Sequence, residues 1–252
     1  MENKDIVLNK KKIALCFWGL TRSLRITHTN IKEKILKVLE NNDFEYTIFM
    51  HTFKLDKINA KRSNENNIDL EFDEYKLLNP DYFEYDEQNE MLNKLEVKKY
   101  RSKPDHWSTN YQNTDFCILA MYSKMRVTEL VKKSELDFDY VVFLRPDMNY
   151  LHNFPINLLN KINDNTCLIP NFHLDYGVND RFYISNKDNA LKFGCSFEHL
   201  LNFSKEYKLN SEHFCRFILD KYKIKFININ FKFQRVRANL EIHPRDKNEL
   251  KV

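Results

Sequence analysis

A chain of 252 residues, 42% of them hydrophobic and 14% aromatic, is long enough for one large domain with a substantial core. Its 40 Lys and Arg against 36 Asp and Glu leave a formal charge of +4, too small a surplus to point to nucleic acid as a partner. Only three glycines occur, Gly19, Gly177 and Gly194, which excludes a Walker loop and a G-x-G-x-x-G dinucleotide fingerprint and disfavours most P-loop kinases and Rossmann dehydrogenases.

No run of 18 apolar residues appears, so no transmembrane helix is expected. The opening MENKDIVLNKKK is polar and does not read as a secretory signal. Five scattered cysteines without a C-x-x-C pair argue against a disulfide framework and against a zinc ribbon. These features imply a cytoplasmic protein, in the host cytoplasm if the source is a virus.

In chain order, Lys12–Phe17 (KIALCF) is a short apolar run of the kind a strand buried on both faces requires. The loop Trp18–Ser23 follows. Thr29–Asn41 predicts a helix, with Ile31, Ile35, Val38 and Leu39 on one face and Thr29 as its cap. Phe44–Thr52 predicts a second strand, and strand–helix–strand implies a parallel pair. Residues 54–113 are rich in Asn, Asp, Glu and Lys, with a short strand and turn in Leu70–Leu78 and a helix over Glu87–Lys98. The stretch reads as a mobile polar insertion, either a lid or acceptor-side loop or a merely solvated excursion. A long helix is predicted from Thr114 to near Ser134, then a buried strand over Asp139–Leu144 that Pro146 ends. Strands follow at Cys167–Ile169, Asp180–Ser185 and Ile224–Phe233, and helices at Lys187–Phe193 and Ser211–Lys221. Arg235–Val252 reads as a polar, irregular tail. The fold class expected is α/β: a mostly parallel central sheet flanked by helices, in a single domain over residues 1–252.

Several residues carry candidate chemistry. Asp147 follows the most apolar strand, and in open α/β sheets ligands bind at that strand edge. A carboxylate there either holds a divalent metal or caps a turn. Gly19-Leu20-Thr21-Arg22 offers a close backbone approach and a guanidinium suited to phosphate, or else an ordinary βα turn. Asp180 can present a carboxylate to an incoming hydroxyl as general base. Glu212 suits the positive end of a helix, which is the structural account of it. His243, in the basic tail with Arg235, Arg237 and Arg245, is a metal ligand or neither ligand nor catalyst.

Taken in order, ALCFWGLTRSL, FEYTIFMHTF, MYSKMRVTEL, FDYVVFLRPDM, VNDRFYIS and SEHFCRFIL with FQRVRAN resemble a group of GT-A-like glycosyltransferases found in viruses, protists and bacterial polysaccharide loci. The resemblance spans about residues 12–52 and 114–240. It implies a nucleotide-diphospho-sugar transferase fold with the donor at the strand ends, a glycan or glycoconjugate acceptor, and a divalent metal, manganese or magnesium. It assigns Gly19, Thr21, Arg22, Arg145 and Asp147 to the donor side, and Asp180, with Glu212 second, to the base. One departure is plain: Arg145 stands where metal-dependent members carry the first Asp of Asp-x-Asp. Asp147 then binds metal alone, with Asn149, or with His243 from the C-terminal loop. Alternatively, Arg145 supplies positive charge to the diphosphate directly, or holds Asp147 by an ion pair. A retaining enzyme would need no base. A non-catalytic glycan- or nucleotide-sugar-binding protein on the same fold is the rival reading.

Overall fold

In the computed structural model, which describes residues 10–250, the chain runs through β1 (Lys12–Trp18), α1 (Leu24–Ile31), a π-helical turn, α2 (Lys37–Glu40) and β2 (Glu45–Lys54). Then come β3 (Lys57–Ala60), β4 (Glu65–Asp69), β5 (Tyr82–Glu87), α3 (Gln88–Lys94), the long α4 (Gln112–Lys133), β6 (Tyr140–Leu144) and β7 (Met148–Tyr150). The remainder is β8 (Thr166–Pro170), β9 (Tyr183–Ser185), α5 (Lys187–Gly194), α6 (Leu200–Glu206), α7 (Ser211–Lys221), β10 (Lys225–Ile229), β11 (Phe233–Arg235) and α8 (Pro244–Glu249). The stretch MENKDIVLN at the start of the opening segment lies outside the described residues, as do Lys251 and Val252.

Seven strands form one sheet in the order β10-β8-β9-β6-β1-β2-β5. All neighbours pair in parallel except β9, which is antiparallel to both β6 and β8. This is the α/β class expected, with a mostly parallel central sheet. Alternation along β1 feeds two cores. Ile13, Leu15 and Phe17 join Leu24, Ile31 and Ile35 on one face, while Ala14, Cys16 and Trp18 join Ile118, Met121, Phe193 and Phe214 on the other. Both faces of the sheet are thus covered by helices, as the continuous apolar run of β1 requires.

The structure differs from the sequence reading in several places, among them Leu70–Leu78, where a 3-10 helix over Phe72–Leu78 replaces the expected strand and turn. The first helix starts at Leu24 rather than Thr29, because the Ser23 carbonyl accepts the Ile26 and Thr27 N–H groups. Thr27 hid that turn: it is a polar residue on the buried face, satisfied there by donating to the Pro146 carbonyl at 2.5 Å. Residues 54–113 are no loose excursion. They supply β5 as an edge strand of the main sheet and fold β3 and β4 into an antiparallel hairpin. The strand expected over Ile224–Phe233 is two strands, the second of which leaves the sheet to pair antiparallel with β7, and the tail read as irregular contains α8. Among the described residues no helix is long and apolar enough to cross a membrane.

Gly194 closes α5 against α4 and β6. A Cβ there would stand 2.0 Å from Thr128 Oγ1 and 2.7 Å from Phe143 Cζ. Gly194→Ala is therefore expected to destabilise the domain by about 1–3 kcal/mol through overpacking, seen as a lower urea midpoint at unchanged m-value.

Candidate functional site

Strand order reverses between β1 and β6: the chain builds outward through β2 and β5 on one side and through β9, β8 and β10 on the other. The C-terminal ends of β1 and β6 therefore flank a crevice, the usual ligand position in open α/β sheets. Because β9 runs antiparallel, its entrance residues Asp180 and Arg181 reach this same edge.

The loop after β1 turns at Gly19, whose φ of +90° suits glycine and few other residues. Its N–H donates to Ser123 Oγ at 2.8 Å. His51 bridges Ser123 Oγ (2.9 Å) and Asp86 Oδ2 (3.1 Å). The hydrogen bond from His51 holds Asp86 below its ordinary value, and burial lowers His51, so a neutral ring faces an ionised carboxylate. Ser123 and His51 are fully buried, and this relay fixes the loop rather than meeting substrate. Thr21 is buried in the turn, its carbonyl accepting the Leu24 N–H.

The floor of the crevice is an ion network. Asp147 is fully buried. Arg22 donates to its Oδ2 through Nε (3.1 Å) and Nη2 (2.9 Å), and Arg145 donates to Oδ1 through Nε (2.8 Å) and to Oδ2 through Nη2 (2.6 Å). Burial alone would raise the carboxyl pKa, but the two guanidiniums outweigh it and hold Asp147 well below the usual carboxylate range. The third nitrogen of Arg22 donates to Glu65 at 3.0 Å, and Glu65 also accepts from Ser63 Oγ and from the Ala238 N–H at 2.7 Å. All three nitrogens of Arg22 thereby donate to carboxylates, and one Nη2 N–H remains outside these bonds. Arg145 keeps Nη1.

The residues named for a metal do not fit one. Both oxygens of Asp147 are taken by guanidiniums, and Arg22, Arg145 and Arg237 would repel a cation brought to it. Asn149 pairs in β7 opposite Gln234. The His243 Nδ1 accepts the Arg245 N–H at the start of α8, while burial and the charges of Arg235 and Arg237 keep the ring neutral. Among the described residues no three His, Cys, Asp or Glu side chains gather as a ligand set. Of the roles weighed for Arg145, the ion pair to Asp147 is the one observed.

Above the floor lies a cleft of about 160 Å³ with six arginines in its lining, Arg22, Arg62, Arg145, Arg181, Arg235 and Arg237, and two carboxylates, Asp180 and Glu212. Arg181 joins the carboxylates, 3.2 Å from Asp180 Oδ1 and 3.3 Å from Glu212 Oε1. Their titrations separate. Burial and the Asp180 charge raise Glu212, whereas Arg181, overcoming burial, keeps Asp180 below its ordinary value. Asp180 Oδ1 and Glu212 Oε2 have no hydrogen-bond partner among the described residues. Beneath them the buried Lys124 ammonium sits 4.5 Å from the Trp18 ring centroid and donates to the Asp180 carbonyl at 3.3 Å. Asn210 caps α7 by accepting the Glu212 and His213 N–H groups, which fixes Glu212 at the helix start. A second, apolar slot of about 100 Å³ adjoins the cleft between Trp18, Phe53, Ile58 and Phe116.

Sequence reasoning missed Arg62 and Glu65 altogether. Both lie in the polar stretch, and nothing in their spacing separates them from neighbouring solvated charges. Among the aromatics of the polar stretch, Trp107 lines the cleft with Arg62 3.4 Å above its ring, while Tyr82 stacks on Phe49 in the core and Tyr85 packs beside Phe72 on the sheet's outer edge.

Asp147→Asn leaves two nearly buried guanidiniums without their shared counter-charge. We expect a loss of about 3–5 kcal/mol in chemical denaturation. A variant as stable as the wild type would mean the network contributes nothing to the fold.

A scan against protein-family models finds no match for this chain, and a search of curated proteins finds none. Among solved structures, mouse xyloside xylosyltransferase 1 in its apo form is similar with a TM-score of 0.45 and 12% identity, over 88% of this chain and 85% of that one. Galactosyltransferase LgtC in complex with donor and acceptor sugar analogues is similar with a TM-score of 0.45 and 12% identity, over 86% of this chain and 73% of that one. Similarity at this level bears on neither chemistry nor residue roles.

Proposed function

We propose that the chain is a GT-A-like glycosyltransferase that moves a sugar from a nucleoside-diphosphate donor to a hydroxyl of a glycan or glycoconjugate. The observation that carries this reading is the pair Asp180 and Glu212, joined by Arg181 and with opposite pKa displacements, in an arginine-lined cleft beside an apolar slot. Titratable pairs driven apart by their surroundings mark acid–base roles. The ordered run of six sequence segments resembling that group supports the same conclusion.

In this reading the nucleobase enters the apolar slot between Trp18, Phe53 and Phe116, and the diphosphate extends over the arginines. Charge developing on the departing diphosphate is then met by fixed guanidiniums in a site that excludes much of the water. Arg145 is held rigid by Asp147 and keeps one N–H pair for the ligand. The acceptor hydroxyl faces the carboxylates. Glu212 is the better base of the two, since its raised pKa makes it the stronger proton acceptor. Asp180, ionised throughout by virtue of Arg181, keeps Glu212 basic. This reverses the preference for Asp180 drawn from chain order.

Release of nucleoside diphosphate from a panel of nucleotide sugars tests the reading, and a panel without turnover would remove it. In an active pairing, Glu212→Gln should lower kcat by about 10²–10⁴-fold with donor affinity little changed. A base must be ionised to act, so activity should fall on acidification through the pKa of that base. With Glu212 as base, the acid limb of kcat/KM lies above about 4.3, the ordinary glutamate value. A limb below the ordinary carboxylate range would return the role to Asp180.

A further inference from the structure

Charge accounting around the cleft leaves a remainder. Asp147 and Glu65 are matched by Arg22 and Arg145, Asp246 by Arg235, and Asp180 and Glu212 share Arg181. Arg62 and Arg237 form no ion pair among the described residues. Arg62 is an arm of the β3–β4 hairpin, held only by the face of Trp107. Arg237 is deeper. Its Nε is buried with no hydrogen-bond partner among the described residues, although the Arg237 side chain lines the cleft.

A guanidinium whose Nε is buried without an acceptor is costly, because that unmet donor forfeits its hydration. The groups around Arg237 compound that cost. Arg22 and Arg235 oppose its charge, while Asp147 and Glu65, which favour it, are already engaged by other donors. Arginine does not shed its proton to escape. The fold therefore sets at the cleft a cation with one unmet buried N–H, and an anion from outside would relieve it.

We propose that Arg237 and Arg62, with the free Nη1 of Arg145, form a metal-independent clamp for the diphosphate of the donor. This proposal rests on the donor-binding reading above and assigns to guanidiniums the charge neutralisation that a divalent cation would otherwise supply. The chemistry fits: two cations beyond those balanced internally, on planar donors suited to phosphate oxygens, beside an Asp147 that has no oxygen to give a metal.

Inorganic pyrophosphate is the probe, followed by calorimetry on the whole protein in chelator and in manganese. We expect binding in chelator, and weaker binding in manganese, because metal-complexed pyrophosphate carries less negative charge to the clamp. Arg237→Ala and Arg237→Met, the latter keeping the packing of the aliphatic stem, should each weaken binding by about 10–100-fold. Their ligand-free melting midpoints should rise by about 2–4 °C, as expected for relief of about 1 kcal/mol in a domain of this size. Arg62→Ala should weaken binding without that rise. Pyrophosphate binding that requires manganese, Arg237 variants that bind as tightly as wild type, or ligand-free variants that melt lower would each overturn the clamp. Metal-free pyrophosphate binding in a protein that turns over no nucleotide sugar would keep the clamp and remove the transferase reading. Sugar transfer that requires manganese would do the reverse.

Discussion

The carboxylate of Asp147, shared between Arg22 and Arg145 in a site closed to water, is the interaction on which the rest of the crevice depends. It joins the loop after β1 to the loop after β6, and through Arg22 it draws in Glu65 from the β3–β4 hairpin and the backbone at Ala238. Buried ion pairs are weak arguments for stability, since desolvation offsets much of the Coulombic gain. Their strength lies in what they forbid. With the oxygens of Asp147 and Glu65 satisfied, four chain segments are held in the arrangement that pairs both carboxylates.

That arrangement sets the polarity of everything above it. A cleft floored by a carboxylate with free oxygens would attract cations. Here the carboxylate is consumed from below, so the cleft meets a ligand with guanidiniums. Among the described residues, the carboxylates in its lining, Asp180 and Glu212, have Arg181 between them. The lining consequently combines guanidiniums turned to a ligand with one pair of carboxylates held by an arginine of its own.

Much of this was legible in the sequence, and the limits have physical causes. The apolar runs of β1 and β6 announce strands buried on both faces, so the positions of Arg22 and Asp147 at strand ends follow from pattern alone, as does α7 with Glu212 at its first turn. What Asp147 does there was not legible. Arg-Pro-Asp reads equally as a phosphate contact, a metal ligand or an internal ion pair, and the arrival of Arg22 from 125 residues away decides among them. Glu65 was invisible because one acid among Asn, Asp and Glu neighbours has no signature until its partner is known. The start of α1 was obscured by Thr27, a polar residue satisfied by a distant carbonyl. In each case the deciding contact is long-range, and local periodicity carries no record of it.

The span of the central network also bears on the order in which the molecule assembles. Ser23 donates to the carbonyl of Val236 across 213 residues, and Ala238 donates to Glu65 across 173. Loop closure over such distances is unfavourable until other contacts have brought the segments together. Until the segment around residues 236–238 docks, Arg22, Glu65 and Asp147 are better served by water than by one another. Closure of the cleft therefore depends on a segment more than 170 residues away in the chain: without residues 236–238, Ser23 would lose the Val236 carbonyl and Glu65 the Ala238 N–H.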